Sequence, residues 1–145
     1  MRIAVNTSTG STFREDSDWY KDAGEYLIDN VTGRVVAGDF NGDGKDDIAT
    51  IYDYYNNTMQ IHVFVSTGSG FKSWASWLSY MSPGDFNANR VTNRTVAGDF
   101  NNDGKDDIAV MYDFDNDKMQ MLVFPSTGSS FAHHAVWGDY MNQGD

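Results

Sequence analysis

Along residues 59–65 the apolar side chains Met59, Ile61, Val63 and Val65 alternate with Gln60, His62 and Phe64. A period near two predicts a β-strand with one face buried. Further β-rich runs stand at 34–40, 48–54 and 71–80, and again at 94–100, 108–114, 119–125 and 131–140. Polar or Gly-rich turns separate them: Tyr55-Asn-Asn-Thr58, Asp115-Asn-Asp-Lys118 and Ser66-Thr-Gly-Ser-Gly70. A long link, 81–93, leads from one set of strands to the next. No stretch carries a convincing helical period, so the expected class is all-β.

The pattern is a repeat. Gly38 to Gly98, Ser66 to Ser126 and Trp77 to Trp137 are each 60 residues apart, and 33 of 60 positions are identical between 25–84 and 85–144 without a gap. Residues 1–24 match the back half of a unit: Ser8-Thr-Gly10, Phe13, Trp19 and Gly24 correspond to Ser66-Thr-Gly68, Phe71, Trp77 and Gly84 after a two-residue deletion. The organisation read is therefore one repeat domain, 1–145, made of a half repeat (1–24) and two full repeats (25–84 and 85–145). Four short antiparallel strands per unit with a repeated Gly/Asp signature suit a β-propeller blade.

Between the first two strands of each unit stands Asp39-Phe-Asn-Gly-Asp-Gly-Lys-Asp-Asp47, returning as Asp99-Phe-Asn-Asn-Asp-Gly-Lys-Asp-Asp107. Oxygen side chains fall at loop positions 1, 3, 5 and 9: Asp39, Asn41, Asp43 and Asp47, then Asp99, Asn101, Asp103 and Asp107. Hard cations such as Ca²⁺ gather six to eight oxygens. Gly44 and Gly104 permit the left-handed backbone of a tight coil, and the carbonyls of Lys45 and Lys105 can add a ligand. An EF-hand is excluded, because it needs a bidentate Glu at position 12 and a following helix. Position 12 is Thr50 or Val110, and a β-rich run follows. The expectation is two Ca²⁺ sites per chain. The alternative is an Asx/Gly turn without metal.

Val36-Ala-Gly-Asp-Phe-Asn-Gly-Asp-Gly-Lys-Asp-Asp-Ile-Ala49 resembles the FG-GAP/VCBS repeat of integrin α-like propellers and Psathyrella velutina-type lectins. The resemblance implies a β-propeller whose loops hold Ca²⁺ through Asp39, Asn41, Asp43, the Lys45 carbonyl and Asp47, and through Asp99, Asn101, Asp103, the Lys105 carbonyl and Asp107. The half repeat lacks this loop. About two and a half blades do not close a ring. Either several chains complete it as a homo-oligomer, which is the expectation, or the chain is a piece of a longer propeller.

Formal charge is −11, and no basic run is present. Nucleic acid, which needs clustered Lys and Arg, is not an expected partner. No apolar run approaches the ~20 residues of a membrane span, so membrane insertion is not expected. There are no cysteines, hence no disulfides and no thiolate metal sites. Residues 1–10 show no apolar leader segment, and four Asn-x-Ser/Thr matches are what an Asn- and Thr-rich chain gives by chance. Oxygen-only loops fill at millimolar Ca²⁺, so an extracellular, secreted setting is expected.

The histidines, His62, His133 and His134, do not recur in register, and no G-x-S-x-G or H-E-x-x-H motif is present. Catalysis is not expected. Aromatics do recur near unit ends: Trp19 with Tyr20, Trp77 with Tyr80, and Trp137 with Tyr140. Tyr26 or Phe86 opens each link, beside Glu25 or Asp85, and Asn87, Asn89 and Arg90 follow in the second copy. Aromatic faces stack on sugar C–H faces, while Asp, Asn and Arg reach hydroxyls. A multivalent, lectin-like glycan-binding module is the expected function, with Trp19, Tyr26, Trp77, Asp85, Phe86, Asn87, Asn89, Arg90 and Trp137 as candidate contacts. The competing role for the tryptophans is packing between blades. A protein-interaction or adhesion scaffold, and an accessory propeller of a secreted hydrolase, are the alternative functions.

Overall fold

A computed structural model describes residues 1–14, 17–24, 26–115 and 118–140. Glu25 of the link, two residues of the turn before Lys118 and the side chain of Tyr140 lie outside the described residues.

Among the described residues, ten strands form three antiparallel sheets. β1 (Arg2–Val5) and β2 (Ser17–Lys21) make a hairpin. β3 (Val35–Gly38), β4 (Asp47–Asp53), β5 (Met59–Phe64) and β6 (Ala75–Tyr80) make a four-stranded meander in sequence order. β7 (Thr95–Gly98), β8 (Asp107–Asp113), β9 (Met119–Phe124) and β10 (Ala135–Tyr140) repeat it. The all-β expectation holds. The registers repeat as well: Val35 faces Thr50 as Thr95 faces Val110, and Met59 faces Tyr80 as Met119 faces Tyr140.

β4 is covered on both faces, which is why it reads as a nearly continuous apolar run and not as an alternation. The last hairpin of every unit carries an irregularity, at Ile3/Ala4, Ile61/His62 and Val136/Gly138. An extra residue there bends the edge strand. The final strand begins at Ala75 and not at Phe71. Residue 71 instead forms an isolated bridge to Ser66, mirrored by Ser126 with Phe131 and Ser8 with Phe13.

The links are not wholly irregular. Each holds a four-residue 3-10 helix, Ile28–Val31 and Ala88–Val91. One turn is too short to leave a helical period in the sequence. The Asn87 side chain caps the second by accepting the Asn89 N–H at 3.0 Å.

Two cores lie between the sheets. The larger packs Phe40, Ile51, Ile61 and Trp77 of the first four-stranded sheet against Phe86, Ile108, Leu122, Phe124 and Phe131 of the second unit. The smaller packs Met1, Ile3 and Tyr20 of the hairpin unit against Tyr26, Tyr52 and Phe64. Backbone bonds knit the units too: Asn93 N–H to Gly33 O at 2.7 Å and Phe131 N–H to Trp77 O at 3.0 Å.

Candidate metal loops and an aromatic pocket

The two acidic loops coil the way their spacing demands. Asp39 accepts the Asp43 N–H at 3.0 Å through Oδ1 and the Gly44 N–H at 2.8 Å through Oδ2. Asn41 Oδ1 also accepts from Asp43 N–H at 2.8 Å, and Asp43 Oδ1 accepts the Lys45 N–H at 3.0 Å. In the second loop Asp99 accepts from Asp103 and Gly104 at 3.0 and 2.9 Å, and Asp103 accepts from Lys105 N–H at 3.0 Å. Gly44 and Gly104 both sit at φ +81°, the left-handed region anticipated for them. Gly42 and its counterpart Asn102 are left-handed too, at +74° and +61°. Asn tolerates that region better than other side-chain-bearing residues.

The ninth position differs from the rest. Asp47 and Asp107 are fully buried. One oxygen of each accepts a backbone N–H, from Ser66 and from Ser126, both at 2.8 Å. The other, Oδ2, is buried with no hydrogen-bond partner in either loop. Burial, opposed by the Ser66 bond and reinforced by the charges of Asp43 and Asp39, pushes the Asp47 carboxyl up to about 6. Burial raises Asp107 in the same way. A buried carboxylate oxygen without a donor is costly unless a cation or a proton meets it.

The residues present therefore fit a hard cation. Among the described residues no group of three or more His, Cys, Asp or Glu is gathered into a metal cluster by itself. The donor set here is mixed, of carboxylate, amide and carbonyl oxygen, which is the set Ca²⁺ uses. Asp39, Asn41, Asp43, Lys45 and Asp47 would hold one ion, and Asp99, Asn101, Asp103, Lys105 and Asp107 the other. The lysines also supply local positive charge: Lys45 Nζ lies 3.1 Å from Asp43, and Lys105 Nζ 3.1 Å from Asp103.

Asp106, to which the repeat pattern assigned no role, ties the loops together. Its Oδ2 accepts the Asp39 N–H at 2.8 Å, and its N–H donates to Asp39 O at 2.9 Å. A Cβ on Gly38 would stand 2.6 Å from that Oδ2, so Gly38 is what lets the carboxylate in.

The candidate glycan contacts scatter. Tyr26, Phe86 and Trp77 are buried in the cores. Trp77 packs on Phe131 with ring centroids 5.6 Å apart, and half-buried Trp19 packs on Phe71 at 5.4 Å, so both serve inter-unit packing. Asn87 caps its 3-10 turn. Asn89 bridges Arg34 Nη1 at 3.2 Å and Asp53 at 3.0 Å. Arg90 pairs with Asp115. Asp85, exposed, accepts the Ser82 N–H at 3.1 Å. Trp137 alone of the three repeat tryptophans is strongly exposed, at 49%.

A cavity of about 230 Å³ forms elsewhere, among Tyr20, Asp22, Tyr26, Tyr54, His62 and Trp74, with Tyr52 completing its wall. His62 stacks on Trp74 with centroids 4.1 Å apart. Its Nδ1 lies 3.2 Å from Tyr26 Oη and its Nε2 2.9 Å from Gln60 Oε1. Tyr26 Oη meets Thr50 Oγ1 at 2.6 Å, and Tyr54 Oη lies 3.4 Å from His62 Nε2. Burial drives the His62 imidazole down to about 4, so it is neutral at neutral pH. Burial raises the Tyr54 phenol. Asp22 Oδ1 accepts from Gly24 N–H at 2.6 Å and from the Met1 amino group at 2.8 Å, while its Oδ2 is buried without a partner.

The cavity exists because the units differ. Asp22 N–H bonds to Met1 O, which puts Asp22 at the register place that Tyr80 holds opposite Met59. At the next interface the Tyr80 hydroxyl reaches His134 Nδ1 at 2.8 Å and fills the space, and Leu122 replaces His62. The repeat hid this site, because all of its residues but Tyr52 differ from their counterparts in the neighbouring unit. The available signal was the set of mismatched pairs Asp22/Tyr80, His62/Leu122 and Trp74/His134 inside an otherwise matching frame.

The family model of the FG-GAP-like repeat matches residues 39–110, from the first acidic loop through the second. No curated protein and no solved structure matches the chain.

Proposed function

Residues 39–110 belong to the FG-GAP-like repeat family, and from that premise we propose that the chain is a Ca²⁺-stabilised, carbohydrate-binding β-propeller module that works outside the cell and catalyses no reaction. The observation that carries the sugar reading is the cavity beneath Trp74. It pairs an aromatic floor with the Asp22 carboxyl group in its wall and with the Tyr54 hydroxyl. Apolar ring faces with a few placed polar groups suit the C–H and O–H faces of one sugar ring, and about 230 Å³ suits a single residue of a glycan.

Calcium in this reading is structural. It meets the orphaned oxygens of Asp47 and Asp107 and holds each first hairpin against the Ser66 or Ser126 turn. Ligand and metal do not touch, because the cavity residues and the loop residues are separate sets.

Titration of Trp fluorescence with a panel of neutral, N-acetylated and acidic monosaccharides tests the sugar reading. The expected result is saturable binding of one class in the millimolar range, lost in Trp74→Ala and kept in Trp137→Ala. Silence across the panel and across a glycan array would sink it. A protein-interaction scaffold is the second reading, favoured by the exposed apolar face around Trp137.

A further inference from the structure

A relay of Trp–Phe contacts runs through the chain. Trp19 packs on Phe71, and Trp77 packs on Phe131. The backbone repeats with it: Phe71 N–H donates to Trp19 O at 2.8 Å, and Phe131 N–H to Trp77 O at 3.0 Å. Each unit thus hands its Trp to the Phe of the next. Two members are left over at opposite ends. Phe13, the first-unit Phe, is 73% exposed, and Trp137, the last-unit Trp, is 49% exposed.

The groove around Trp137 has a volume of about 370 Å³ and is walled by Val96, Phe100, Met111 and Met121. The equivalent face of the first sheet, with Phe40 and Trp77, is covered by the second unit. What covers it there includes the Ser126–Phe131 turn, whose Ser126 Oγ donates to Phe40 O at 2.6 Å. The hairpin unit presents the same turn, Ser8 with Phe13. Ser8 Oγ accepts the Gly10 N–H at 3.1 Å, as Ser126 Oγ accepts the Gly128 N–H at 3.1 Å, so the Ser8 hydroxyl keeps its proton for an acceptor.

We propose that the Trp137 face of one chain binds the Ser8–Phe13 turn of a second copy, head to tail, by the Trp–Phe contact the chain already makes twice within itself and the Ser-to-Phe carbonyl bond it makes once. Trp137 then packs on Phe13, Phe13 N–H donates to Trp137 O, and Ser8 Oγ donates to Phe100 O. The interface is heterologous, because each chain contributes a different patch. It stands independently of sugar binding.

Two blocked variants test it. Both side chains are exposed, so Trp137→Ala and Phe13→Ala should keep the parent far-UV spectrum and, on dilute, unassociated chain, its melting. In Ca²⁺ buffer, sedimentation of the parent 145-residue chain should show mass rising above one chain with concentration. Each variant alone should stay a monomer. Mixed in equal amounts they should form a species of twice the chain mass, because Phe13→Ala keeps an intact Trp137 face and Trp137→Ala an intact Phe13 turn. A parent that stays monomeric overturns the proposal. So does an assembly that Phe13→Ala leaves untouched, which would mean that Trp137 faces meet each other, and so does a mixture that fails to pair.

Discussion

The two four-stranded sheets are nearly the same object in different company. They share strand order, register and acidic loop. Yet Phe40 is fully buried and its counterpart Phe100 is 41% exposed, and Trp77 at 9% stands against Trp137 at 49%. Arg34, 3% exposed, donates to Thr92 at 2.8 Å and to Asn30 O at 2.8 Å across its link, whereas Arg94 is exposed and pairs with Asp113. Identical residues thus have different worth. In stacked repeats stability is a sum of intrinsic terms and nearest-neighbour terms, and only the second sheet lacks a neighbour on that face within the chain. The loops differ less: the Asp39 and Asp99 carboxylates each accept two N–H groups from within their own loop, so those bonds recur, while the Asp106–Asp39 tie joins one loop to the other.

Truncating the shared Phe breaks the comparison most strongly. Phe40→Ala should cost about 3–5 kcal/mol, as buried Phe truncations do. Phe100→Ala should cost about 1 kcal/mol or less when measured on dilute, unassociated chain. Urea unfolding of both checks this, and equal losses would contradict the one-sided burial.

Calcium should restore the symmetry. At a hundredfold excess over its dissociation constant, an ion bound only by the folded chain adds about 3 kcal/mol per site. EGTA should lower the melting temperature and Ca²⁺ restore it. Asp43→Ala and Asp103→Ala should each remove a similar part of that response, and the double variant all of it. A double variant that melts as the parent does in both buffers would remove the metal assignment.

The smallest effect separates His62 from Leu122. Unfolded His62 takes up a proton as pH falls through its ordinary 6.5, while the folded imidazole holds out to about 4. The unfolded state binds more protons in that window, so stability falls as pH drops from about 6.5 towards 4. At pH 5 the loss is about 2 kcal/mol relative to pH 7. His62→Leu, which copies the second sheet, should flatten that part of the profile. Melts at pH 7 and pH 5 compare each protein with itself, so the carboxyl terms common to both cancel.

Much of this was legible in the residues. Alternation at 59–65 and the other β-rich runs marked the strands, the repeat carried their order from one unit to the next, and oxygen spacing with Gly44 and Gly104 marked the loops, because those signals are local and recur. Less legible were the 3-10 turns, too short to show a period, and the roles of the link residues. Asn87 and Asn89 have the chemistry of ligand contacts, but their amides serve a cap and the Arg34–Asp53 bridge. The cavity under Trp74 was hardest, since its residues come from four separate strands and links.

The sequence by itself determined the strand class, the recurrence of the strand pattern and the coil of each acidic loop. These depend on neighbours a few positions apart, and backbone geometry carries side-chain spacing directly into local structure. Only the tertiary structure decided which copy of a shared residue is buried, where Asp106 goes, and that Asp22 opens a cavity where Tyr80 closes one. Those outcomes depend on which unit stacks on which face, and close packing makes one substituted side chain the difference between a filled interface and a pocket.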